Sequence, residues 1–96
     1  MIKHIVFFKF KPDAAEADIV DLEKSLKALP NQIDDIVSFC CGRDVLHTER
    51  SYDLALVSEF ADLDALNRYQ VHPDHQAVVA KVKQLATSVV AVDYAC

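Results

Sequence analysis

The sequence predicts an α+β fold of ferredoxin-like order, β-α-β-β-α-α-β: a four-stranded antiparallel sheet with helices on one face. Three observations carry that prediction. Short segments rich in Val, Ile, Phe and Leu alternate with segments of helical period. Pro73 breaks what would otherwise be one long second helix. The strands are apolar on both faces at their centres, so both sides of the sheet have to be covered.

Ile2 to Lys11 reads as the first strand, closed by Pro12. Ile2, His4, Val6, Phe8 and Phe10 share one face; Lys3, Ile5, Phe7, Lys9 and Lys11 share the other. Asp13 to Leu29 reads as a helix on the stripe Ile19, Leu22, Leu26 and Leu29. Acidic residues lie early in it and Lys24 and Lys27 late, which complements the helix dipole. Pro30 and Asn31 are expected to end it. Asp35 to Val45 reads as the second strand, with Gly42 as a bulge or bend. Tyr52 to Phe60 is the third strand. Leu54, Leu56 and Phe60 face one way, Ala55 and Val57 the other. Asp62 suits the N-cap of a short helix carrying Leu63, Leu66 and Tyr69. His72 precedes a proline and should end that helix. Pro73 suits the first position of the next one, which runs to Ala86. Ser88 to Ala95 is the last strand. Val90, Val92 and Tyr94 lie on one face of it, and Val89, Ala91 and Asp93 on the other.

Residues 1–96 make one domain. A chain of this size buries roughly 60–65% of its unfolded surface, so its own core is modest. Yet 52% of the residues are hydrophobic, and one Gly and three Pro leave no low-complexity linker. A second copy covering the apolar outer sheet face would complete the core, giving a homodimer with sheets face to face. Ten basic against fifteen acidic residues give a net charge of −5, which excludes a phosphate backbone as partner. No basic amphipathic helix points to a membrane surface. The apolar run Ile5 to Phe8 is too short and too interrupted by lysine for a signal peptide or a span, so a cytoplasmic location is expected. Three cysteines without CxxC or zinc spacing read as small buried thiols in a reducing compartment. Adjacent Cys40 and Cys41 point to opposite faces and do not bridge.

The chemistry-bearing segment is Tyr69-Gln70-Val71-His72-Pro73-Asp74-His75. It places a phenol at the end of one helix and an imidazole at the start of the next. His75 opens the helical stripe Val78 or Val79, Val82, Leu85 or Ala86, so it points inward. Tyr69 follows Leu63 and Leu66, and His4 lies on the inward face of the first strand. His4, Tyr69 and His75 thus share an apolar compartment, the usual form of a small-molecule site. A helix N-terminus and an apolar wall both disfavour imidazolium, which leaves His75 a neutral proton acceptor. A nearby phenol can donate to a carbonyl and support a developing enolate. The alternative is structural: Tyr69 and His75 bond to each other or to backbone and staple the corner. His72 reads as an exposed cap. His72, Asp74 and His75 lack HExxH spacing, and no metal is expected. With one Gly there is no P-loop, Rossmann or nucleophile-elbow motif, and no cofactor is expected.

The opening Ile2-Lys3-His4-Ile5-Val6-Phe7-Phe8-Lys9-Phe10-Lys11, then Gly42-Arg43-Asp44-Val45, Tyr69-x-x-His72-Pro73-x-His75 and Val92-Asp93-Tyr94, resemble the stress-responsive A/B barrel (Dabb) family. The resemblance spans essentially the whole chain and implies a dimeric α+β barrel. In a plant polyketide cyclase of that family, the catalytic tyrosine and histidine match Tyr69 and His75, and a strand histidine matches His4. Its pocket positions fall on Val6, Phe8, Leu22, Leu26 and Leu56. Two that are aromatic in the cyclase are Leu22 and Leu26 here.

Three functions follow. The first is a homodimer of unassigned activity that binds a small apolar or aromatic molecule between sheet and helices. The second is a cofactor-free lyase or cyclase with His75 as general base and Tyr69 as hydrogen-bond donor. The third, carried over from other dimeric α+β barrels, is a cofactor-free monooxygenase.

Overall fold

A computed structural model describes residues 1–96. The elements are β1 (Ile2–Phe10), α1 (Glu16–Gln32), β2 (Ile36–Arg43), β3 (Leu54–Phe60), α2 (Leu63–Val71), α3 (Pro73–Leu85) and β4 (Ala86–Ala95). The strands form one antiparallel sheet in the order β2-β3-β1-β4, the ferredoxin-like arrangement expected. Val6, Phe8, Leu54, Leu56 and Phe60 are buried on the face that the helices cover, with Leu22, Leu26 and Leu29 of α1 packed against them. The predicted inward face of β1 is the buried one.

Two local expectations need correction. First, α1 begins at Glu16 and continues through Pro30 to Gln32. Proline removes one N–H, that which would bond the Leu26 carbonyl, at a cost of roughly 3 kcal/mol in a helix interior. Here the ladder resumes beyond it, with the Ile33 N–H on the Leu29 carbonyl at 2.9 Å. Leu29 and Ile33 are both sealed in the core, and their burial holds the last turn helical. Lys24 and Lys27 consequently lie mid-helix, where Lys27 pairs with Glu23 one turn back at 3.1 Å. Second, the irregularity in β2 is at Val37, not Gly42. Ile36 opposes Phe60 while Ser38 opposes Glu59, so Val37 is the extra residue; Gly42 pairs regularly with Ala55.

The helix corner follows the sequence closely. The Asp62 carboxylate accepts the Ala65 N–H at 2.8 Å and starts α2. Asp62→Ala should therefore cost about 1 kcal/mol, measured by chemical denaturation. A change below a few tenths would deny the cap its role. His72 has extended backbone, ends α2 and caps α3, its Nδ1 accepting the Asp74 N–H at 3.1 Å. Pro73 then takes the first turn of α3, where its missing N–H costs nothing.

The outer sheet face is covered by no element of this chain. Phe7, Val57, Val90, Val92 and Tyr94 are exposed there, and Ile5, Phe7, Val90 and Val92 border a shallow apolar groove. Cys40 lies on the same face, opposite Val57. Cys40 and Cys96 are exposed and Cys41 half-buried, all three unbridged. The reading of three buried thiols is thus wrong for two of them: β2 is an edge strand, and Cys96 follows the last strand. No helix is long and apolar enough to cross a membrane.

Candidate functional site

Between the sheet and α3 lies a cavity of about 380 Å³. Its size falls within the usual range for small-molecule pockets, roughly 300–1,000 Å³. α1 packs over the β2 side of the sheet, and α3 stands off β4, leaving the gap. Val6, Phe8, Leu26 and Leu56 form its inner wall, and Val78, Val79 and Val82 its helical wall. Leu22 does not reach it. That residue is fully buried in the core between α1 and the sheet. Of the five pocket positions expected, four line the cavity and one supports it.

His4, Tyr69 and His75 all line this cavity. The Tyr69 ring lies 4.3 Å from the His75 ring and 6.2 Å from the His4 ring, centroid to centroid. Phe60 backs Tyr69 at 4.9 Å, holding it from behind. Tyr69 is buried as a residue, yet its phenol makes no hydrogen bond to protein. The residue is fully buried and borders the cavity. Burial pushes the Tyr69 pKa far above its ordinary value of 10, so it remains a protonated donor.

The His75 Nδ1 lies 3.1 Å from the Gln70 carbonyl. A carbonyl only accepts, so Nδ1 carries the proton and Nε2 holds the free lone pair. Burial lowers the His75 pKa below 6.5, against the Gln70 hydrogen bond, with the fields of His4 and His72 adding to the lowering. The ring is a neutral base near pH 7. No Tyr69–His75 hydrogen bond forms; the two rings pack against one another, and His75, not Tyr69, staples the corner together with Gln76, whose Nε2 donates to the same Gln70 carbonyl at 2.6 Å.

Asp93 was missed as a site residue. Its carboxylate accepts from His4 Nδ1, since β4 pairs with β1 so that His4 and Asp93 are direct neighbours. The sequence put Asp93 on one face with Val89 and Ala91. What it lacked was the neighbour relation between the first and last strands. This bond fixes His4 with its Nε2 unprotonated when the ring is neutral. Lys83 at the cavity wall was also missed, because an exposed lysine late in a helix carries no signal of its own.

A ferredoxin-like sheet with a helix-walled cavity and a histidine–tyrosine pair defines a class of small α+β proteins. A family model described as the stress responsive A/B barrel domain matches residues 2–96, and the chain belongs to that family. An uncharacterized protein of Streptomyces coelicolor is 38% identical over 96 residues, spanning 98% of each chain. A dimeric ferredoxin-like protein of unknown function from Thermobifida fusca superposes at a TM-score of 0.90 and 28% identity, over 99% of this chain and 90% of that one. Hydroxynitrile lyase from Passiflora edulis shares the fold at a TM-score of 0.86 and 16% identity, over 97% of this chain and 90% of its own.

Proposed function

We propose that this protein is a homodimer that binds a small apolar or aromatic molecule between its sheet and α3. One observation carries the reading: the apolar cavity into which His4, Tyr69 and His75 converge. Its test is to fill the cavity from the side. Ala91 opposes inward-facing Val6 in the register, so a larger side chain at this position projects into the cavity. Ala91→Phe should keep the fold and abolish thermal shifts and calorimetric binding of aryl ketones. Unchanged binding in that variant, or no binding by the native chain, sinks the reading.

The dimer follows from the outer sheet face. Its apolar residues cross three of the four strands, and such a face is stable only when covered. The solved Thermobifida fusca relative is dimeric, which supports the same arrangement here. Val92, 61% exposed in the isolated chain, stands on this face. Val92→Glu should weaken association by about a hundredfold or more, because two like charges enter an apolar interface about its two-fold axis. Sedimentation showing the native chain to be a stable monomer at micromolar concentration overturns the dimer.

A second reading rests on the free His75 Nε2 beside the unpartnered Tyr69 phenol. That pair suits proton abstraction next to a carbonyl, and hence a cofactor-free lyase or cyclase. Oxygen consumption during turnover would instead favour the monooxygenase.

A further inference from the structure

The cavity has an apolar body, but its polar groups are unevenly committed. His4 is held by Asp93. His75 has one nitrogen on the Gln70 carbonyl and is otherwise neutral. Lys83, from the last turn of α3, lines the same cavity. It is the one cation on that wall. The ion pairs of the chain engage Lys27, Arg43, Arg68 and Lys81, and none engages Lys83. The other lysine of α3 illustrates the contrast: Lys81 is bonded at 2.8 Å to both Asp21 and Ser25 of α1. Lys83 is exposed and stands beside Val79 and Val82 on the cavity wall.

We propose that the ligand is an amphipathic acid: an apolar or aromatic body lying among the valines, with a carboxylate or equivalent anion at Lys83. The inference rests on the binding reading above and specifies its ligand class. The His75–Tyr69 end then meets the ligand's hydrogen-bonding group, a carbonyl or hydroxyl. The free charge of Lys83 orients the molecule, because an acid inserted the other way would bring its anion toward Asp93. The competing polarity is a cationic ligand held by Asp93, whose carboxylate is partly exposed.

Three probes of one shape separate these outcomes: 4-butylbenzoate, 4-butylbenzamide and 4-butylbenzylamine, titrated calorimetrically at pH 7.5. The native chain should bind the benzoate about two- to fivefold more tightly than the amide, the advantage typical of an exposed charge pair. Raising the salt should shrink that advantage. Lys83→Met keeps the apolar stem and should bring benzoate down to the amide's affinity while leaving the amide unchanged. Equal binding of benzoate and amide by the native chain overturns the inference and leaves the pocket reading standing. So does an undiminished preference in Lys83→Met, or tightest binding of the amine. If none of the three binds, both the pocket reading and this inference fall. Amide binding that survives in Lys83→Met shows that the variant folds.

Discussion

Replacing Phe60 by alanine should remove a large share of the stability of the protein. Phe60, the last residue of the inner strand β3, is fully buried and packs on both Tyr69 and His4. Truncating a buried phenylalanine costs about 3–5 kcal/mol, through lost transfer energy and the cavity left behind. A domain of this size has about 5–15 kcal/mol in total. At roughly 4–8 °C per kcal/mol, the melting temperature should fall by about 12 °C or more. Denaturant and thermal unfolding should be compared at one protomer concentration, since dimerisation adds to apparent stability. A Phe60→Ala loss below about 1.5 kcal/mol would mean that the core collapses around the gap and that Tyr69 is not held from behind. The milder Phe60→Leu should fold and still weaken aryl-ketone binding, because the ring that orients Tyr69 is gone.

The sequence revealed those parts of the fold that depend on local chemistry and period. Alternation in β1 identified the buried face carrying His4, Val6 and Phe8. The Asp62 cap, the His72 stop and the Pro73 start are rules of single residues and their neighbours, and all three appear in place. Pro30 was misread because propensity was set against burial, and Leu29 and Ile33 outweigh one lost hydrogen bond. The bulge at Val37 was misplaced because glycine marks flexibility, whereas this bulge is set by how β2 meets β3. At the site, periodicity turned His75 inward correctly. Leu22 has the same period as Leu26 but lies deeper, and helical spacing does not distinguish a core residue from a wall residue. Asp93 was out of reach for another reason. It lies 89 positions from His4, and only strand register joins them.

His75 and Tyr69 should show their chemistry in one experiment with two readouts. The first is the titration of His75 itself. Its folded pKa is lowered below 6.5, while in the unfolded chain it returns to about 6.5. Between those two values the unfolded chain binds more protons, so this group makes stability rise with pH across that window. Its contribution is fully present above pH 6.5 and is lost as pH falls through the folded pKa. His75→Gln should remove this component, and NMR titration of the native ring should give a midpoint below 6.5. A midpoint at or above 6.5 would deny that burial governs the ring. The second readout is exchange of the α-protons of bound benzoylacetone with deuterium. If Nε2 is the base, exchange rises with pH through the folded His75 pKa and levels off above it. His75→Gln should slow it by roughly 10²–10⁴-fold, the range of general-base catalysis. Tyr69→Phe should slow it by roughly 10²–10³-fold, as for loss of one donor to a developing oxyanion. Stability should distinguish this from a structural role. The Tyr69 phenol has no protein partner, so Tyr69→Phe should change unfolding by less than about 1 kcal/mol. A variant that exchanges protons at the native rate, or that loses several kcal/mol of stability, would make the tyrosine a structural brace and leave the cavity a binding site alone.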